Sequence, residues 1–286
     1  PDFGNVMRGE FFAFFLFSLT GVMLTAGADD LVWLFLALEL TSLPTYIMVS
    51  TGKEKIQAQE SAVKYFFLGA MSAAIFVYGF ALIYGATGFT EFAAIHQTIQ
   101  QTGGLSPLLL TGLVLSIVGI SFKIAAVPMH FYAADVYEGA ETSVTAFLAF
   151  VPKTAGFAAL ILILGLVGWP LQQDPAALDL GDVLIALIWG LAAVTMTLGN
   201  VLALWQNNVK RVLAYSSIAH SGYLLVGLLA GTGFAQAGAL SNGIAAILFY
   251  LVAYGLGTIA GFAVLGCLRA QGEEAQTFDD IAGLWR

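Results

Sequence analysis

Long apolar runs separated by short polar breaks follow one another along the whole chain. Eight of them, at 11–28, 31–50, 61–84, 105–134, 143–169, 183–205, 212–231 and 244–268, carry almost no charge. A bilayer core of about 30 Å takes roughly 20 residues of helix to cross, and each run is near or above that length. Backbone groups facing lipid must bond within their own segment, which leaves helices or a closed barrel. The alternating stretches of about ten residues that mark a transmembrane barrel do not occur, so the pattern predicts an all-α, polytopic membrane helical bundle. One connection is longer than the rest. In 85–104, Phe92, Ile95 and Ile99 recur at helical spacing and predict a short amphipathic helix lying along the non-cytoplasmic surface.

Composition narrows the class. With 59% hydrophobic and 10% charged residues, against about a quarter charged in soluble domains, an ordinary water-soluble fold is excluded. The net charge of -8 resides mostly in the connections and suggests no nucleic-acid partner. Cys267 is the only cysteine, so the chain can form neither an internal disulfide nor a cysteine-ligated cluster. No flavin, nicotinamide or metal motif is readable. A start at Pro1 and an end at "IAGLWR" lead us to expect a piece of a longer polypeptide.

The charges are sorted by side. Alternating the connections between faces puts Arg8, Lys53, Lys55, Lys210, Arg211, Arg269 and Arg286 together, while those around Asp29, Glu91, Asp174 and Gly233 have no basic residue. This predicts that the basic face is cytoplasmic, in a bacterial inner membrane or an equivalent energy-coupling membrane. Lys64, Lys123 and Lys153 remain, all within runs, with Glu39 the one acid well inside. Intramembrane ionisable residues cost several kcal/mol and by default mark ion pathways.

At 1.5 Å per residue, Glu39 lies about 12 Å into its run and Lys153 about 17 Å from Thr142, both near the membrane middle. As one straight helix, 105–134 would reach about 45 Å. Pro128 lacks an N–H and clashes with the preceding turn, so the helix is expected to break just after Lys123, as at transporter ion sites. Three lysines against one carboxylate leave surplus positive charge in a low dielectric, so at least one lysine is expected to release its proton readily. The competing reading is a kinked packing helix whose Lys123 pairs quietly with Glu39. His220, among Tyr215, Ser216, Ser217, Ser221 and Tyr223, is a further relay candidate, as are His130 near the basic face and Lys64.

Five crossings make an odd number, so a second copy of such a unit must be inverted. The echo of "YGFALI" at 78–83 in "AGFAVL" at 260–265 suggests units at 1–170 and 171–286, the second an incomplete repeat of three helices. "LFLALELTSLPTYIMV", "ESAVKYFFLGAMSAA", "SFKIAAVPMHFYAADVYEGAETSVTAFLAFVPKTAGF" and "NVKRVLAYSSIAHSGYLLVGL" follow in order. Through these segments the chain resembles the antiporter-like membrane subunits of respiratory complex I. The resemblance implies inverted five-helix repeats with a broken transmembrane helix. It equates Glu39 with the family's glutamate on its fifth transmembrane helix, Lys123 with the lysine of the broken seventh, and Lys153 with the connecting lysine of the eighth. Lys64 and His220 match positions on the polar axis. It further implies proton translocation coupled to quinone reduction elsewhere, with other membrane subunits, including neighbouring antiporter-like subunits, as partners beside the lipid bilayer. FMN, iron–sulfur clusters and quinone are expected in partner subunits and no cofactor in this chain. About three leading helices and a second broken helix are expected to be missing from it. A subunit of a multisubunit cation/proton antiporter is the alternative, and a purely structural scaffold another.

Overall fold

A computed structural model describes residues 7–51, 56–167, 180–231, 239–270 and 273–283. Its helices are α1 (Met7–Ala26), α2 (Leu31–Ser50), α3 (Ile56–Thr87), α4 (Phe92–Thr102), α5 (Pro107–Ile120), α6 (Tyr132–Gly139), α7 (Thr142–Val167), α8 (Leu180–Leu204), α9 (Val209–Gly231) and α10 (Ala239–Cys267). Two short strands, β1 (Arg269–Ala270) and β2 (Glu273–Glu274), pair antiparallel after the last helix. Among the described residues, seven helices are long and apolar enough to cross a membrane. The remaining apolar run, 105–134, is split between α5, an irregular segment at 121–131, and α6. With 14 residues, α5 reaches only about 21 Å, so it needs the irregular segment and α6 to complete one crossing.

Polar residues at the run ends set the helix boundaries. Asp30 caps α2, its carboxylate accepting from Val32 N at 2.6 Å and Trp33 N at 3.2 Å, which satisfies N–H groups that a first helical turn leaves unpaired. The same carboxylate accepts from Thr90 Oγ1 at 2.6 Å. Reciprocal backbone bonds from Leu31 N to Thr90 O and from Phe92 N to Asp29 O then tie the α1–α2 and α3–α4 connections together. The amphipathic helix of the 85–104 connection is present as α4: Ile95 and Ile99 are buried and Phe92 packs against the core. Gly103, at φ 72°, ends it in a left-handed conformation that favours glycine. Ser106 caps α5 and Pro107 occupies its first turn, where a missing N–H costs nothing.

The central helix is α7. Seventy-two per cent of its span is buried, against 17% for α1 and 22% for α10, and it touches α1, α2, α4, α5, α6, α9 and α10. Two apolar clusters meet near the irregular segment. One is largely aliphatic and includes Ile124 and Ala126; the other, rich in aromatic rings, includes Phe122, Tyr46, Tyr65 and Tyr132. The irregular segment is therefore held from both sides.

The approach of α7 to that segment depends on one small residue. A Cβ at Gly156 would lie 2.6 Å from Ile124 Cγ2 and 3.0 Å from Lys123 Cβ. Gly165, on the same helix, has nothing within 4 Å of the equivalent point. Overpacking a tight contact costs about 1–3 kcal/mol, whereas alanine for glycine on an open helix face favours the helix by up to about 1 kcal/mol. We predict that Gly156→Ala lowers the thermal midpoint and that Gly165→Ala leaves it unchanged or raises it. Thermal denaturation of the two variants in the same detergent checks this; equal midpoints would contradict the close approach.

Candidate functional site

In a continuous helix the Ile124 carbonyl would accept from the N–H of residue 128. That residue is Pro128, which has none. A buried carbonyl without a partner costs about 1–3 kcal/mol, so another donor must supply the bond. Lys153 Nζ donates to Ile124 O at 3.1 Å and Ser221 Oγ donates to it at 2.5 Å. Other backbone groups of the segment also have partners. Phe122 N and Lys123 N make tight i−3 bonds to Gly119 O and Ile120 O. Ala125, at φ 54°, adopts the left-handed region at a cost of about 1–2 kcal/mol. Val127 N donates to Thr195 Oγ1 on α8 at 3.0 Å, and Phe122 O accepts from Tyr132 Oη at 2.9 Å. The Val127–Pro128 peptide is cis. Regular α-helix thus ends at Ile120, before Lys123 rather than just after it, and Lys123 lies within the break itself.

Lys123 is buried. Its Nζ donates to Glu39 Oε1 at 3.1 Å and to Ser42 Oγ at 2.5 Å, and lies 5.8 Å from the centre of the Phe76 ring, within cation–π range. Ser42 Oγ in turn donates to Leu38 O at 2.9 Å. Glu39 and Ser42 share a helix face because they are three residues apart. The predicted pairing of Glu39 with Lys123 is therefore present in the interior.

Lys153 has a different environment. Its Nζ meets Ile124 O, Ser217 O at 2.7 Å and Ser221 Oγ, and among the described residues no carboxylate is recorded within ion-pair distance. Lys123 thus has a counter-charge, while Lys153 has three neutral oxygens. The two lysines do not bond each other. They meet through the break, one as its residue and the other through its carbonyl.

The remaining candidates are dispersed. Lys64 does not join the buried group: its side chain is 44% exposed and pairs with Glu60 at 2.7 Å and Asp135 at 2.9 Å. It takes the position of a lysine reaching to the membrane rim. His130 is buried in the segment 121–131; among the described residues, no hydrogen bond is recorded that joins it to the interior charges. His220 bonds Tyr250 Oη on α10 at 2.5 Å, with the Tyr254 ring 4.8 Å away. Of the hydroxyls surrounding it in sequence, Ser221 serves Lys153, and Ser217 lends Lys153 its carbonyl while its hydroxyl meets Tyr137. Of the basic residues assigned to one face, Lys53, Lys55 and Arg286 lie outside the described residues, and the side chains of Arg8 and Arg269 are not described.

Sequence reasoning missed Ile124 O, Ser42 and Thr195. The first two had signals, a proline four residues after Ile124 and a serine three residues after Glu39; Thr195 had none. It also missed the polar network at the rim, where Arg211 Nη1 contacts Asp135 Oδ1 and Glu138 Oε2, each at 2.8 Å. Asp135 and Glu138 lie on α6, Lys64 on α3 and Arg211 on α9, so the network fastens the second half of the broken crossing to its neighbours. Partial burial pushes the Asp135 carboxyl up, but hydrogen bonds from Lys64 and Arg211, reinforced by their charges, hold it below the usual 3.8.

A family described as NADH:quinone oxidoreductase/Mrp antiporter, transmembrane, matches residues 28–286. NADH-quinone oxidoreductase subunit N of Trichlorobacter lovleyi is 45% identical over 278 residues, covering 97% of this chain and 54% of the relative. Subunit N 1 of Sorangium cellulosum is 42% identical over 282 residues, with 97% and 54% covered. Respiratory complex I from Thermus thermophilus contains a chain with TM-score 0.74 and 36% identity, covering 94% of this chain and 53% of that one. The Mrp complex from Dietzia shares the fold, at TM-score 0.75 and 22% identity over 92% of this chain and 46% of that one. The chain spans about half the length of the curated relatives it matches.

Because the folded-state Asp135 carboxyl titrates below its unfolded value, the stability it adds is present above the ordinary carboxylate range. It is lost as pH falls through the lowered value. We predict that Asp135→Asn lowers stability by about 1 kcal/mol or less, since the pairs are partly screened by solvent. Thermal denaturation as a function of pH should give a gap between wild type and variant that is constant near neutrality and closes below the usual 3.8. A gap independent of pH would assign the loss to packing.

Proposed function

The chain belongs to the NADH:quinone oxidoreductase/Mrp antiporter transmembrane family, and on that premise we propose that it is the ion-translocating portion of an NADH-quinone oxidoreductase subunit N. In this reading it moves protons across a bacterial inner membrane with its basic connections on the cytoplasmic side. Quinone reduction, flavin and iron–sulfur chemistry take place in partner subunits, and neighbouring antiporter-like subunits flank it in the membrane. The relatives named subunit N, at 42% and 45% identity, favour this assembly over a cation/proton antiporter. The two inverted units would meet at 170/171, within residues 168–179, which lie outside those described.

The observation that carries the proposal is the buried line from Glu39 through Lys123 and the break to Lys153. With both lysines protonated and Glu39 ionised, this group has one surplus positive charge in a medium where charge is costly. Protonation of one lysine therefore opposes protonation of the other. A change that brings Glu39 to Lys123, or removes it, sets which lysine keeps its proton, because an opposite charge close by favours the ionised form. The break supplies a backbone that can shift without disrupting a regular helical ladder, and such segments recur where membrane proteins bind ions. His220 and its Tyr250 partner extend the polar groups from α9 to α10.

We predict that, in the assembled complex, Lys123→Met reduces proton pumping and NADH:quinone turnover at least tenfold, while NADH oxidation by a hydrophilic artificial acceptor stays near wild type. Equal loss of both activities would indicate failed assembly. For Lys153, arginine separates proton carriage from charge alone, because guanidinium does not deprotonate in proteins. Lys153→Arg is expected to impair pumping nearly as much as Lys153→Met. Wild-type pumping by a stably assembled Lys153→Arg complex would remove Lys153 from the path.

A further inference from the structure

We propose that Ser221 is a positioning residue that reports the proton state of Lys153 to the broken segment, by turning its hydroxyl between Ile124 O and Lys153 Nζ. The inference rests on the proton path assigned to Lys153 above and concerns a residue outside that line of charges.

It follows from counting donors and acceptors. An ammonium has three N–H donors and no acceptor, and Lys153 Nζ is met by three oxygens: Ile124 O, Ser217 O and Ser221 Oγ. Two are carbonyls, which only accept. Ser221 Oγ accepts from Nζ and directs its own proton to Ile124 O at 2.5 Å, with Ser217 O a longer alternative at 3.2 Å. Every position is satisfied while Lys153 is charged. When Nζ gives up the translocated proton, two N–H groups and one lone pair remain, and the lone pair needs a donor. Of the three oxygens around Nζ, only Ser221 has one. Its O–H must then turn to Nζ, and Ile124 O loses the shorter of its two bonds.

Ile124 directly follows Lys123, and residue 128, whose N–H a continued helix would have offered its carbonyl, is proline. Loosening this bond therefore acts on the backbone that carries the paired lysine. Ser221 is fully buried, so water does not readily take its place. The titratable or charged groups on the surrounding elements include Glu39 on α2, Lys123 in the break, Tyr137 on α6, His220 on α9, and Tyr250 and Tyr254 on α10, with Asp135, Glu138 and Arg211 engaged in the network at the rim. Tyr137 bonds Ser217 Oγ at 3.2 Å and His220 bonds Tyr250; neither donates to Nζ.

The test uses the complete complex in its native membrane, with Ser221→Ala, Lys153→Met and the double variant, and NADH oxidation by a hydrophilic artificial acceptor as the control for assembly. Losing an acceptor that favours the charged form outweighs losing a donor to the neutral form, since bonds to charged groups are the stronger. Ser221→Ala is therefore expected to move the alkaline limb of the pumping profile to lower pH by about one unit, the equivalent of a tenfold change in the protonation equilibrium. Added to Lys153→Met, it should change little more. If Ser221→Ala does not assemble, Ser221→Cys, with a weaker donor and acceptor of similar size, should show a smaller shift in the same direction. An unchanged profile in an assembled Ser221 variant, or a loss that adds in full to that of Lys153→Met, overturns the proposal. Unimpaired pumping by Lys153→Met would instead overturn the proton path on which it rests.

Discussion

One carbonyl that a continued helix could not satisfy organises the interior of this protein. Pro128 removes the N–H that Ile124 O would need, and in a membrane the missing bond cannot be left to solvent. The bond is supplied by Lys153 on α7 and Ser221 on α9. Lys123, one residue before the orphaned carbonyl, reaches Glu39 on α2. Thr195 on α8 takes the N–H of Val127. Four separate helices are thus anchored to one short irregular segment, and its position depends on all of them together.

This arrangement addresses the cost of burying charge. A lysine in the membrane interior is expensive, and the two buried lysines are accommodated by different means. Lys123 has a carboxylate, a hydroxyl and an aromatic ring. Lys153 has only neutral oxygens, two of them backbone carbonyls. An ion pair surrounded by hydrogen bonds can be a static structural feature. A second lysine without a counter-charge, bonded to the same break, makes the protonation of the two sites interdependent.

The ends of the broken crossing are secured by ordinary polar chemistry. On one side Ser106 and Pro107 start α5, and Asp30 ties neighbouring connections together. On the other, Lys64 and Arg211 converge on Asp135 of α6. With both ends fastened to neighbours, 121–131 is the part of the crossing that lacks the regular helical ladder. Gly156 leaves room for α7 at this position, so a change in the break is in direct contact with the helix that carries Lys153.

Much of this was legible in the chain. Apolar runs of membrane-spanning length determined the helices, because a lipid-exposed backbone has few alternatives. The amphipathic spacing of Phe92, Ile95 and Ile99 predicted α4, and Pro128 in an overlong run predicted the break. Charges placed deep in otherwise apolar runs singled out Glu39, Lys123 and Lys153. What sequence could not supply was distance between helices. Lys64 lies one turn inside its run and Lys123 and Lys153 lie deep, but only helix rotation and packing bring those two to the break and leave Lys64 at the rim with Asp135. Ser221 read as a neighbour of His220, since both lie on α9. Only the packing of α7 against the break brought its oxygen within reach of the Lys153 ammonium, because a side chain's partners are set by helix position and rotation in three dimensions, which the apolar periodicity of a single helix does not specify.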